Sequence, residues 1–361
     1  MIYVFVGTRA QLIKMAPIIL ELEKNKIKYT YVSTAQHADT MEELHADFGI
    51  SKPHFFLSKV EERKSVSALI FWFFKIIWNA LRGNSPWFTG KGIGLVHGDT
   101  LSTLLSALLL KINGNKVAHV ESGLRSHNLL NPFPEEMVRL LTFRLSDIYF
   151  CQDETALRNV AKYPGHKYDT KVNTLADSIQ IIESRRIINH GEVLEKYCLI
   201  SFHRFENLNS PERLRFILSA VEMASTRLKT YLILHPTTQK KLESHPRHLQ
   251  KLHRLGVTLL PRMPFSAFIH KLSRAEFLLT DGGSNQEEAS YLGIPCGILR
   301  LSTERLEGLE KNAVLLGFDT QILNAFLSNT DRYRVRGTLP SNKPSRQIVH
   351  AINQLCANEL N

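Results

Sequence analysis

An α/β protein of two domains, each built on a parallel sheet, is the fold class this sequence predicts, and three observations predict it. Short apolar runs alternate with longer segments of helical period, as in βαβ units. The alternation runs twice along the chain, on either side of a stretch near 164–190 with no clear apolar period until Ser178. Polar or ionisable residues stand directly after the apolar runs. A length of 361 residues exceeds what one ordinary hydrophobic core organises and is ample for two.

The first domain, 1–175, has predicted strands at Ile2–Val6, Tyr29–Ser33, Ile93–Val96, Val117–Val120 and Ile148–Cys151. Leu12–Leu22, Leu101–Leu110 and Glu136–Leu145 read as the helices between them. The second domain, 176–361, repeats the theme with strands at Tyr197–Ser201, Tyr231–Leu234, Val257–Leu260, Phe277–Leu279 and Cys296–Leu299. A closing helix, about Arg346–Leu360, is compatible with either domain.

The strands lead into Gly7-Thr8-Arg9, Thr34-Ala35-Gln36-His37, His97-Gly98-Asp99-Thr100, Glu121-Ser122-Gly123, His203-Arg204, His235-Pro236 and Asp281-Gly282-Gly283. Open parallel sheets bind ligands beyond the carboxyl ends of their strands. Packing alone gives no reason to place ionisable groups at so many such ends. Two domains doing so predict two sheets facing each other across a ligand cleft.

Hydrophobic residues make up 43% and charged residues 22%, a globular composition. Four cysteines lie far apart in or beside apolar runs, and fifteen histidines form no zinc-like spacing with them. Buried free thiols, no metal and a reducing cytoplasm are therefore expected. Ile2–Val6 is too short and lacks the basic flank of a secretory signal. The net charge of +11 fits a phosphate-bearing substrate or an anionic surface. No nucleic-acid-binding pattern is present, so nucleic acid is not an expected partner.

Phe277–Ala289 reads as a strand, a turn of small residues and a helix start. Gly282, Gly283 and Ser284 allow a nest of backbone N–H groups at a helix N-terminus, an anion site suited to a diphosphate. Glu287 and Glu288 either complement the helix dipole or accept ribose hydroxyls. Arg9 and Lys14, at the first strand-to-helix turn, are candidate cationic partners of the diphosphate. Asp99 and Glu121 lie 22 residues apart, about one βα repeat. On neighbouring strands the two carboxylates would converge, raising one of them toward general-acid use. Glu135 follows the stiff Pro132-Phe133-Pro134 and is read as either a positioned acid or a helix-capping carboxylate. His203 follows the first strand of the second domain.

Together these motifs resemble the non-hydrolysing UDP-N-acetylglucosamine 2-epimerases over nearly the full length. The matching residues are Gly7-Thr-Arg9 with Lys14-Met-Ala-Pro17, Thr34-Ala-Gln-His37, Val96-His-Gly-Asp-Thr100, His119-Val-Glu-Ser-Gly-Leu-Arg125, Pro132-Phe-Pro-Glu-Glu136, His203-Arg204 with Glu206, Thr280-Asp281 through Glu288, and Ser302-Thr-Glu-Arg305. The resemblance implies the GT-B fold, two Rossmann-like domains with the site between them. It implies C2 epimerisation of a UDP-N-acetylhexosamine by elimination and re-addition of UDP, for surface polysaccharide precursors. Asp99, Glu121 and Glu135 would then move protons, with His203 at the sugar–phosphate end. Arg9, Lys14, His37, Arg204, His235, Gly282, Gly283, Ser284, Glu288 and Arg305 would bind the UDP-sugar. No metal, nicotinamide or other cofactor is implied, and a homodimer is.

The sequence departs from the resembling pattern in several places. Ala10-Gln11 replaces Pro-Glu, so an amide stands where a carboxylate is usual. The turn reads Asp281-Gly282-Gly283-Ser284, not Asp-Ser-Gly-Gly, and Val172-Asn173-Thr174 replaces Gly-Asn-Thr. Lys59–Lys64 lacks the glutamine of the family's arginine–glutamine pair for allosteric UDP-GlcNAc. These departures leave a diacetamido or uronic sugar open beside N-acetylglucosamine. Alternatives are a membrane-associated GT-B glycosyltransferase, a hydrolysing epimerase releasing ManNAc and UDP, or a silent UDP-sugar binder. The aromatic segment 68–82, interrupted by Lys75, is too short to span a bilayer. It reads as a helix buried in the core or a dimer interface, or as one resting on a membrane.

Overall fold

The structure, a computed structural model, describes residues 1–34, 41–57, 66–83, 85–129, 134–185, 195–303, 305–336 and 339–358, without the side chains of 66–72 and 358. It divides into two compact units, 1–181 with 341–361 and 182–340.

In unit 1 the order is β1 (Ile2–Val6), α1 (Arg9–Lys24), β2 (Tyr29–Ser33), α2 (Glu42–Phe48), β3 (Phe55–Phe56), α3 (Val66–Leu81), β4 (Ile93–His97), α4 (Leu101–Ile112), β5 (Lys116–Val120), α5 (Glu135–Leu145), β6 (Ile148–Cys151), α6 (Glu154–Val160), β7 (His166–Asp169) and α7 (Leu175–Ser184). Unit 2 follows with β8 (Tyr197–Ser201), α8 (Phe205–Leu208), α9 (Pro211–Ser225), β9 (Lys229–Leu234), α10 (Pro236–Glu243), α11 (Pro246–Arg254), β10 (Thr258–Pro261), α12 (Phe265–Leu272), β11 (Leu278–Thr280), α13 (Gly283–Leu292), β12 (Cys296–Ile298), β13 (Ala313–Leu315) and α14 (Thr320–Ser328). The last helix, α15 (Pro344–Asn358), belongs to unit 1.

Among the described residues the two sheets run β3-β2-β1-β4-β5-β6-β7 and β10-β9-β8-β11-β12-β13. Every strand pair is parallel, which is why the central strands read as apolar runs: helices cover both faces. Three strands escaped the sequence reading. Phe55–Phe56 is two exposed residues, His166–Asp169 is a polar edge, and Ala313–Leu315 is short. Edge strands need bury only one face, so they carry no continuous apolar signal.

α15 packs on α1 and buries Ile348, Val349, Ala351 and Ile352. Its start is fixed where Ser345 N donates to Asp177 Oδ2 at 2.8 Å and Asn342 Nδ2 donates to the Thr170 carbonyl at 2.8 Å. Burial pushes the Asp177 carboxyl up, against the Ser345 hydrogen bond and the Lys343 charge. All four cysteines are free, and Cys151, Cys198 and Cys296 are buried. Burial drives the thiols of Cys151 and Cys296 up to about 12, leaving them unreactive.

Candidate active site

The β1–α1 turn of unit 1 is built for close approach. A side chain at Gly7 would collide with Ser102 and Thr34. Thr8 caps α1 by accepting from Gln11 N at 3.3 Å, and Gln11 Oε1 accepts from Gly7 N at 2.8 Å and Thr8 N at 3.2 Å. Gln11 Nε2 then reaches the His97 carbonyl at 2.7 Å, with Thr103 Oγ1 at 2.8 Å and Thr100 Oγ1 at 3.0 Å. The amide is thus an acceptor toward α1 and a donor toward a carbonyl that can only accept. It ties the β1–α1 turn to the β4–α4 turn.

α1 carries Lys14 inward, and its Nζ lies 2.7 Å from Glu121 Oε2. His97 Nε2 lies 2.9 Å from the same oxygen, and all three side chains are buried. Glu121 has φ +57°, the left-handed region, which is strained for a residue with a Cβ. Register pairs His97 with Val120, so Asp99 and Glu121 follow the ends of neighbouring strands, as the 22-residue spacing requires. Each carboxylate has its own cation. Asp99 Oδ2 meets Arg139 Nη2 at 2.6 Å and Nε at 2.9 Å. A cation at each lessens the mutual repulsion that the sequence reading invoked for a raised general acid.

Arg139 is itself anchored. Its Nη1 lies 3.2 Å from Glu136 Oε2, and Glu136 also accepts from Ser126 N at 3.0 Å and from Arg125 Nε. Burial would raise Glu136, but the Ser126 N–H and the two guanidinium groups overcome it and hold the carboxyl down at about 2. Arg125, Glu136, Arg139 and Asp99 form a chain of alternating charge whose accessible end is Asp99.

A buried histidine supports the same loop. His119 Nε2 contacts the Gly98 carbonyl at 2.8 Å, which fixes the proton on Nε2, so Nδ1 accepts from Ser122 Oγ at 3.1 Å. Burial lowers His119 to about 4 despite the carbonyl and nearby carboxylates, so the ring is neutral at neutral pH. Glu135 opens α5, and its Oε2 is buried with no hydrogen-bond partner among the described residues. Arg9 pairs with Glu43 at 3.1 Å. His37, Lys59 and Arg63 lie outside the described residues.

In unit 2, Asp281 is a crosslink between two turns. Its carboxylate accepts from His203 N at 2.9 Å, Arg204 N at 3.0 Å and Asn207 Nδ2 at 2.9 Å, while Arg204 Nε donates to the Asp281 carbonyl at 2.9 Å. This joins the β8–α8 turn to the β11–α13 turn. Gly282 caps α13; a side chain there would come within 3.1 Å of His203 and 2.8 Å of Asn285. Glycine therefore lets His203 lie against the helix N-terminus, whose first turn holds Gly283 and Ser284.

His203 stacks on His235 with centroids 4.7 Å apart. Burial lowers both, with Asp281 opposing and Arg262 adding to the effect; His235 falls to about 4. Both rings are mainly neutral at pH 7 beside permanent cations. Glu288 accepts from Asn285 Nδ2 at 2.8 Å, and Arg305 pairs with Glu287 at 2.9 Å. Among the described residues no group of acidic, histidine and cysteine side chains could hold a metal ion.

His97, Arg139 and Arg262 are neighbours of the candidate residues that the sequence alone did not single out, while Gln11 stood out only as an amide in place of a carboxylate. His97 and Arg262 carried a usable signal: each lies at a strand's carboxyl end, Arg262 between Pro261 and Met263-Pro264. Arg139 carried none, because it is one polar residue among several on α5.

Two parallel-sheet units with glycine turns and ionisable groups after their strands define a GT-B protein, and this is one. Residues 20–348 match the family model described as UDP-N-acetylglucosamine 2-epimerase, and the chain belongs to that family. It is 32% identical over 349 residues to the UDP-N-acetylglucosamine 2-epimerase of Bacillus subtilis (strain 168), covering 91% of this chain and 87% of that one. The enzyme of the same name from Neisseria meningitidis serogroup A is 32% identical over 342 residues, 89% and 88% of the two chains. Among solved structures, UDP-GlcNAc 2-epimerase from Neisseria meningitidis bound to UDP-GlcNAc superposes with a TM-score of 0.81 at 28% identity, covering 98% of this chain and 99% of that one. The Methanocaldococcus jannaschii enzyme in complex with UDP-GlcNAc and UDP gives 0.80 at 26%, with the same coverage. The glycosyltransferase of kitacinnamycin, 13% identical at a TM-score of 0.58, shares the fold alone.

Proposed function

We propose that this protein inverts C2 of a UDP-N-acetylhexosamine, UDP-GlcNAc to UDP-ManNAc or a close derivative. The observation that carries the reading is the placement of Asp99 and Glu121 after neighbouring strands, each beside its own cation, in a chain of this family. A carboxylate takes the C2 proton while the C1–O bond to UDP breaks, leaving a 2-acetamidoglucal and UDP. UDP then re-adds at C1 as a proton returns to the other face of C2. Two proton-transfer groups are needed, and Asp99, Glu121 and Glu135 are the candidates, with His203 at the sugar–phosphate end.

Charge logic divides the work. The Lys14 ammonium beside Glu121 favours its ionised form, which suits a base. The α13 turn at Gly282, Gly283 and Ser284, with Arg204 and His235, is the candidate diphosphate site, and Glu288 the candidate ribose acceptor. Arg9 and Arg305 would have to share their guanidinium groups between Glu43 or Glu287 and the ligand. His37 is kept as a candidate on the motif alone.

Incubation with UDP-GlcNAc in deuterated water, followed by NMR, tests the reading. Deuterium at C2 and a ManNAc epimer are expected, and replacement of Glu121 by Gln abolishes both. Absence of exchange across a panel of UDP-HexNAc derivatives sinks it.

Partners follow from the helices of unit 1. α3 buries Ile76 and Ala80 and exposes Phe74, Trp78 and Leu81; α4 packs against both α3 and α5, and α5 exposes Met137 and Leu141. A second copy of the chain covering this layer explains the exposed apolar residues better than solvent does. A membrane resting on 68–82 is the other reading of the same helix; among the described residues no helix is long and apolar enough to cross a membrane.

A further inference from the structure

The net charge of +11 is unevenly distributed. From Ser244 to Ala275 there is no aspartate or glutamate, yet the stretch holds six lysines and arginines, +6 of the +11, and four histidines. Within it α11 sorts its residues by face. Leu252 is buried and Leu249 half-buried, whereas Arg247, Lys251 and Arg254 recur at i, i+4 and i+7 on the opposite, exposed stripe. α10 packs against α11 and adds exposed Lys240, with Lys241 beside it.

Internal counter-charge is scarce. Lys251 meets Glu222 of α9 at 2.7 Å. Among the described residues no carboxylate pairs with Lys240, Lys241, Arg247 or Arg254. His245 and His248 stack at 5.5 Å. His248 is lowered first by burial, then by His245, Lys251 and Lys241, so the face already repels added positive charge. Like charges gathered this way weaken a helix unless an external anion neutralises them.

Two observations narrow the anion. None of the exposed large apolar side chains lies on α10 or α11, so nothing there inserts into hydrocarbon. No exposed Phe, Tyr or Trp lies on α10 or α11 to stack a base, which single-stranded nucleic acid would use. A broad, sequence-independent array of negative charge fits best. We propose that the α10–α11 face docks on an anionic lipid surface through Lys240, Arg247, Lys251 and Arg254. The contact is electrostatic, reversible and lies on the headgroups. It does not depend on the epimerase reading, and it puts any peripheral membrane contact on unit 2, not on α3.

Full-length protein co-sedimented with vesicles tests this. Binding is expected to vesicles containing phosphatidylglycerol, not to phosphatidylcholine alone, and it weakens as salt shortens the Debye length. Each basic residue near an anionic surface strengthens partition about fivefold. The triple variant K240E/R247E/R254E should therefore lose binding at least tenfold while keeping its turnover of UDP-sugar. K240Q/R247Q/R254Q serves if the charge reversal unfolds the protein. Unchanged vesicle binding in either folded variant overturns the proposal, as does equal binding to neutral vesicles. Tighter binding to duplex DNA or RNA at matched phosphate and salt would reassign the face to nucleic acid. A raised KM for UDP-sugar with vesicle binding intact would reassign it to substrate steering.

Discussion

Asp99 is held through one oxygen by Arg139, which hangs in turn on the buried Glu136. If Asp99 moves protons, Arg139 sets where its reactive oxygen points without touching substrate. Removing the guanidinium as Arg139→Met should lower kcat by about tenfold to a hundredfold and leave KM within about threefold. Lys at this position restores charge but offers only one ammonium for two contacts, so it should recover part of kcat. Equal loss in both variants, tracking thermal stability alone, would mean that Arg139 only holds the fold. The identities of Asp99 and Glu121 as candidates were legible because strand-end position is a local pattern. Their partners were not: Lys14 meets Glu121 across 107 residues and Arg139 meets Asp99 across 40, just as Gln11 meets Thr103 across 92. Nothing near Gln11 announces a carbonyl from another turn.

Among the elements, the central strands were legible from their apolar runs, as was the edge strand β10, whereas the edge strands β3, β7 and β13 were not, for the burial reason given above. α3 shows a different limit. Its composition announces an aromatic helix, but only the fold decides which residues face the core. Phe73 and Ile77 pack against the unit 1 core with Ile76 and Ala80, while Phe74 and Trp78 face out, with Arg82 4.7 Å over the Trp78 ring. Light scattering on a sizing column should give a dimer for the parent and a monomer for W78E/F74E. A monomeric parent, or a dimer indifferent to both charges, would remove α3 from the interface.

For the whole molecule, the two-unit division was legible as a repeated βαβ pattern. Its interleaving was not, because α15 carries no mark of the unit it joins. Proton linkage also acts at this scale. His119 titrates near 4 when folded and at its ordinary value of about 6.5 when unfolded, so the unfolded chain binds the proton first as pH falls. Stability is therefore full above about pH 6.5 and declines toward pH 4, by up to about 3 kcal/mol from His119. The lowered His203 and His235 add in the same direction, discounted for their exposure. Glu136 acts later: its contribution is present above about pH 4.5 and is lost as pH falls toward 2. Denaturant titrations at pH 7.5 and 5.5 should show this decline, and His119→Gln should flatten it. A flat parent would mean that His119 stays accessible to protons in the folded state.

The return of α15 to unit 1 has a consequence for how the chain is made. Synthesis is vectorial, and α1 leaves the ribosome before unit 2 while the helix that covers it leaves after unit 2. Until Pro344–Asn358 emerges, the apolar side of α1 that meets it and the Asp177 carboxylate that receives Ser345 lack their partners. Unit 2, by contrast, is contiguous from Ile182 to Pro340 and holds every strand of its own sheet. The nascent chain can thus complete its second unit before its first, and α1 stays without its covering helix until unit 2 has been made.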